Sequence, residues 1–150
     1  MGIHDDYGKR LLASILGKRW VTRGNGRSVE MAGVRAALDG IILSEDSARV
    51  ECAVEIEAKI YKQIRGAILD LAWHSAPRKM LVMIPAQPQL GTEEKARAHL
   101  MYVWQKLTTR ANVPFELVVL SGTGTTPMDD DDRLLLTDAL KKLDLIQSGA

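Results

Sequence analysis

The sequence predicts an α/β fold: a mixed β-sheet with helices on both faces. Three observations carry this. The elements run α, β, β, β, α, β, α, β, α, so the early strands form a meander and the later ones join in parallel through helices. The stretch 49–58 alternates, with Val50, Cys52, Val54, Ile56 and Ala58 pointing one way. Two short apolar runs, Met80–Ile84 and Phe115–Leu120, are of the kind buried on both sheet faces.

Each element has a local reason. Asp5 or Asp6 caps a first helix over 6–19, with Leu11, Leu12, Ile15 and Leu16 as its apolar stripe. Gly24-Asn25-Gly26 is a turn signal, expected to close a small hairpin between 20–23 and 27–31. Strands over 34–43 and 49–58 flank the polar turn Ser44–Ser47. The second is expected to turn one face to the core and a charged face, with Glu51, Glu55, Glu57 and Lys59, outward. A helix over 59–74 points Ile60, Ile64, Ile68 and Leu71 inward, and Pro77 stops its continuation. Thr92 caps a helix over 93–108, with Glu93 and Glu94 at its positive end. The last helix spans 131–145, with Leu134, Leu135, Ala139, Leu140 and Leu143 inward and aspartates at its start.

The 150 residues suit a single domain, 1–150, long enough to bury ~70% of its unfolded surface without a disulfide or metal staple. Apolar residues make up 46% and charged residues 26%, which excludes a disordered or collagenous chain. The net charge of +1 argues against a wholly basic nucleic-acid coat protein, but it is unevenly spread. Residues 1–28 carry six basic and two acidic side chains, residues 129–150 three basic and six acidic. A lone cysteine, Cys52, and the lack of a membrane span or signal-peptide pattern lead us to expect a cytoplasmic protein.

The most unusual chemistry lies on the charged face of 49–58. Glu55, Glu57 and Lys59 stand in a row about 7 Å apart, and Asp39 lies in the preceding strand. In a regular hairpin Asp39 reaches the level of residues 52–54, and twist or a bulge brings it towards Glu57. Two carboxylates on adjacent strands hold a divalent cation through oxygen ligands, and a lysine beside them acts on a water or a phosphate. The triplet alone says little. With 19 acidic residues and nine lysines, about one acid-x-Lys triplet arises by chance, and the sequence has two, the other being Glu93-Glu94-Lys95.

Context adds to the triplet. Leu38-Asp39-Gly40, then Glu55-Ile56-Glu57-Ala58-Lys59, then the helix from Lys62 to Asp70, all within this element order, resemble the PD-(D/E)xK nuclease superfamily. The likeness spans roughly residues 5–120 and implies a restriction-endonuclease-like αβββαβ core, plus a further helix, strand and C-terminal helix. It implies Mg²⁺ (or Mn²⁺) bound by Asp39, Glu57 and the main-chain carbonyl of Ala58. Lys59 would activate water, and Gln63, a turn into the next helix, would contribute. Leu38 stands where the name-giving proline would be. The first helix offers no acidic counterpart beyond Asp5 and Asp6. Glu30 is a substitute, and Glu55 a rival ligand to Glu57. The implied activity is metal-dependent hydrolysis of DNA phosphodiesters. Lys62, Arg65, Arg10, Lys18, Arg19, Arg23 and Arg27 are the candidate phosphate contacts. So small a core suggests a homodimer or a larger complex for specificity.

Two rivals stand beside it: a non-catalytic DNA- or protein-binding module of the same fold, and an enzyme using the loop Ser121–Thr126 on a nucleotide. That loop lacks the GK[ST] ending of a phosphate loop, so a flexible surface loop is expected. Cys52 is expected to be buried and inert. The histidines lack zinc spacing, with His74 placed at a helix C-terminus where positive charge is favoured. Asp129–Asp132 reads as a solvated helix start, and Trp73 and Trp104 as packing residues.

Overall fold

Two hydrophobic clusters lie on opposite faces of one five-stranded mixed sheet. The computed structural model describes residues 3–58, 62–84, 93–107 and 113–147. Its helices are α1 (Ile3–Leu16), α2 (Lys62–Trp73), α3 (Glu93–Leu107) and α4 (Asp129–Lys142). Its strands are β1 (Trp20–Val21), β2 (Ser28–Met31), β3 (Val34–Ala37), β4 (Gly40–Leu43), β5 (Val50–Glu57), β6 (Arg78–Met83) and β7 (Phe115–Val119). The main sheet runs β1-β4-β5-β6-β7, antiparallel from β1 to β5 and parallel from β5 to β7. This is the expected α/β class with helices on both faces.

Alternation along the central strands builds both clusters. Cys52, Val54 and Ile56 of β5 and Met80 and Val82 of β6 meet Tyr7, Leu11, Leu12 and Leu16 of α1 and Leu136, Ala139 and Leu140 of α4. Ala53, Leu81 and Leu117 face Ile64, Ile68 and Leu71 of α2 and Leu100, Val103 and Trp104 of α3. Trp104 stacks on Phe115 with centroids 4.2 Å apart. Cys52 is fully buried, and burial pushes its thiol well above the ordinary range.

Several expectations are corrected. Gly24-Asn25-Gly26 closes no hairpin. Trp20 and Val21 pair with Ile42 and Ile41, and β2 pairs with β3 in a separate two-stranded ribbon. The ribbon's turn is Ala32-Gly33, both at positive φ (49° and 84°), the backbone that lets a two-residue turn follow strand twist. The expected strand 34–43 therefore breaks at Leu38-Asp39. Gly40 restarts it beneath the Trp20 ring, which leaves no room for a Cβ there.

The outward face expected for 49–58 is covered instead by α2 and α3, because the β5-α2-β6 and β6-α3-β7 connections lay their helices on that side of the sheet, and Glu55 is only 8% exposed. Val50 packs on that side, opposite to Cys52, because the register slips between Ile42 and Leu43. Helix α1 starts at Ile3, so Asp6 lies inside it rather than capping it. Helix α4 starts at Asp129, which turns Leu136 inward and leaves Leu134 70% exposed. Trp73 falls off the Ile64–Ile68–Leu71 stripe and is exposed. Thr92 and Ile60 lie outside the described residues.

Candidate active site at the ends of β4 and β5

The bulge in β5 decides which carboxylates meet. Gly40 pairs with Val54 and Ile42 with Cys52, but Leu43 pairs with Val50, so Glu51 is the extra residue. The shift carries Asp39 past the expected level of 52–54, to that of Glu55. The Ile56 N–H donates to Asp39 Oδ2 at 2.7 Å, and the Asp39 N–H donates to Glu55 Oε1 at 2.7 Å. Asp39 thus meets Glu55 rather than Glu57.

Glu55 is the most perturbed carboxyl of this group. Burial first, then the negative charges of Asp39, Glu57 and Asp70, push its pKa up to about 9, against the single lowering influence of the Asp39 N–H. Glu55 is therefore protonated near neutral pH. Burial also raises Asp70 on α2. Glu57, half-buried, lies two residues on along the same face, and its carbonyl accepts the Ile84 N–H at 2.8 Å. Ala58 is half-buried at the strand's end. Lys59 lies outside the described residues, as do the side chains of Lys62 and Gln63.

Among the described residues, no three His, Cys, Asp or Glu side chains already stand together as a ligand set for a metal ion. Carboxyl oxygens are the donor type a hard cation takes, and the charges of Asp39 and Glu57 act on Glu55 at this strand end. Glu30 does not join them; it sits in the ribbon, across from Arg35.

The candidate phosphate contacts divide. Arg10 binds Asp129 of α4 at 2.6 Å. Arg19 donates to the Leu43 carbonyl at 2.8 Å. Arg27 Nη1 donates to the Leu38 carbonyl at 2.7 Å, while the Leu38 N–H returns a bond to the Arg27 carbonyl at 2.9 Å. Arg27 thereby fixes the residue just before Asp39. Lys18, Arg23 and Arg65 are exposed.

Other residues took roles that sequence spacing did not signal. Asp132 is fully buried, not solvated. It accepts the Tyr7 hydroxyl and the N–H groups of Ser121 (2.6 Å) and Gly122 (2.9 Å). Those amides are spent on Asp132, so the 121–126 loop is clamped rather than offered to a phosphate. His74 is buried, with Nε2 2.7 Å from the Gly26 carbonyl and Nδ1 accepting the Ala76 N–H at 3.0 Å. Burial lowers its pKa, so it is neutral there and not the helix-end cation expected. Lys79, also buried, donates to the His74 carbonyl.

Compared with known proteins, the chain matches no family model and no curated protein. Among the described residues no helix is long and apolar enough to cross a membrane.

Proposed function

We propose that the chain is a metal-dependent nuclease of the restriction-endonuclease-like fold, hydrolysing DNA phosphodiesters. The observation that supports this is that Asp39, at the head of β4, bonds Glu55 and the Ile56 N–H, which puts its carboxylate beside the residue that precedes Glu57, with Lys59 two residues further along the chain. The element order supports it. Helix α1, then β1, β4 and β5 of one sheet, then α2 and β6, read as αβββαβ, with β2–β3 an insertion and α3, β7 and α4 the addition.

On this reading Asp39 and Glu57 hold Mg²⁺ or Mn²⁺, with the Ala58 carbonyl beside them. The ion supplies positive charge against the charge that develops on the phosphoryl oxygens. Glu55 and Arg27 fix the Asp39 backbone from either side. Lys59 takes part in deprotonating the attacking water, with Gln63 alongside. Cutting both strands of a duplex takes two such sites, which a two-fold homodimer supplies.

The test is nicking of supercoiled plasmid with Mg²⁺ or Mn²⁺. Wild type should cut, and Asp39→Asn, Glu57→Gln and Lys59→Ala should each lose about 10² in rate or more. Activity that survives all three substitutions overturns the assignment. DNA binding without cleavage in the wild type would favour a non-catalytic module instead.

A further inference from the structure

We propose that the β2–β3 ribbon is a duplex-DNA arm that enters the major groove beside the bond to be cut. This rests on the nuclease reading and deepens it, by naming B-form duplex as the substrate class. Residues 17–37 carry five basic side chains, Lys18, Arg19, Arg23, Arg27 and Arg35, against one acidic, Glu30. That local balance of +4 lies at the ribbon's base, in residues 17–27, because Arg35 and Glu30 cancel within the ribbon itself. It exceeds the +1 of the whole chain, so the rest of the chain sums to −3.

Shape agrees with charge. The ribbon rests on the core through β2, where Val29 is buried and Met31 packs against the α2–α3 cluster. Its other strand, β3, is exposed at all four positions, with Val34 at 72%. Opposite residues share a face, so Val34 lies with Met31 and Arg35 with Glu30. Arg35 reaches the 25–27 turn through Asn25 at 3.3 Å, two residues from exposed Arg23.

A two-stranded ribbon fits the B-DNA major groove, about 12 Å wide, whereas the deep, narrow A-form groove of duplex RNA excludes side chains. Arginine and small apolar side chains are the types that read base edges there. Four residues at about 3.4 Å each put the tip some 14 Å from the ribbon's base. One residue, the buried Leu38, separates that base from Asp39. A ribbon seated in the groove therefore brings Asp39 to the flanking backbone. The base is held by the His74–Gly26 and Arg27–Leu38 bonds.

The experiment measures binding of a labelled duplex by fluorescence anisotropy in EDTA, so that no cleavage enters, against single-stranded DNA and duplex RNA of the same sequence. Wild type should bind the DNA duplex at least tenfold tighter than either. Arg23→Gln with Arg35→Gln should lower duplex affinity at least tenfold, and flatten the salt dependence by about 0.9 for each phosphate contact removed. Glu30→Gln should tighten binding severalfold. Lys142→Gln, at an exposed position on α4, is the control and should change little. No duplex binding, equal binding of duplex RNA or single strands, or a double variant that binds as wild type overturns the proposal. The two readings fail separately. Groove binding without Mg²⁺-dependent cutting sinks only the nuclease. Cutting with unchanged binding by the arginine variant sinks only the arm.

Discussion

Asp39 and Glu55 are joined in one direction by main chain to side chain, the Asp39 N–H donating to Glu55 Oε1 at 2.7 Å, while Asp39's own carboxylate is held by the neighbouring Ile56 N–H. The strand pair is thus locked by the side chains that form its charged end. This makes the metal-free protein sensitive to alkaline pH. Glu55 titrates near 9 when folded and near the ordinary ~4.3 when unfolded, so between those values the folded state binds the extra proton. Stability from this group is present below about pH 4 and declines as pH rises towards 9. Glu55→Gln keeps an acceptor for the Asp39 N–H and removes the charge. Thermal melting in EDTA should show wild type losing stability from pH 6 to 9 and the variant much less. Equal slopes would contradict the account.

Asp132 ties α1 and α4 to the loop after β7. Asp132→Ala leaves the Tyr7 hydroxyl, the buried Gly122 amide and the part-buried Ser121 amide without their acceptor, at a cost of about 3 kcal/mol or more. Urea unfolding measures it, and a change under 1 kcal/mol would mean that the loop re-satisfies itself. The same bond, with burial the larger cause, pushes the Tyr7 phenol up to about 12.

His74 gives the acid side of the pH profile. Its folded pKa is lowered, so the unfolded chain takes up the proton first, and stability falls as pH drops below about 6.5. Protonation also costs the bond that Nδ1 accepts from Ala76. In His74→Asn the acid limb of the melting profile should flatten. An unchanged limb would assign acid sensitivity to other groups.

Ala32 sits in the ribbon turn at φ 49°, a conformation that costs an L-residue about 1–2 kcal/mol. Ala32→Gly should raise the melting temperature, most visibly in hydrogen exchange of the β2–β3 amides. A lowered melting temperature would show that the methyl group packs usefully.

Much of this was legible before any coordinates. The stripe of α1, the apolar runs of β6 and β7, and the alternation of β5 from Cys52 to Ile56 lie where their patterns place them, while Val50 and the charged face of β5 do not. What was not legible depends on tertiary partners. Nothing local marks Glu51 as a bulge residue, yet that one residue decides that Asp39 meets Glu55. The Gly24–Gly26 turn signal is genuine, but Ala32-Gly33 closes the hairpin, because β1 finds a better partner in β4. Asp132 reads as one of four equivalent aspartates. Only its bonds to Tyr7, 125 residues away in the chain, and to the amides after β7 single it out.

The proposed nuclease requires that Asp39 and Glu57 hold a divalent ion. Calorimetric titration of Mn²⁺ into the metal-free protein tests it most directly. The account predicts saturable binding by wild type, weakened at least tenfold in Asp39→Asn and in Glu57→Gln and retained in Lys59→Ala, since the lysine is no ligand. Absence of saturable binding in the wild type, or undiminished binding by Asp39→Asn, would contradict it.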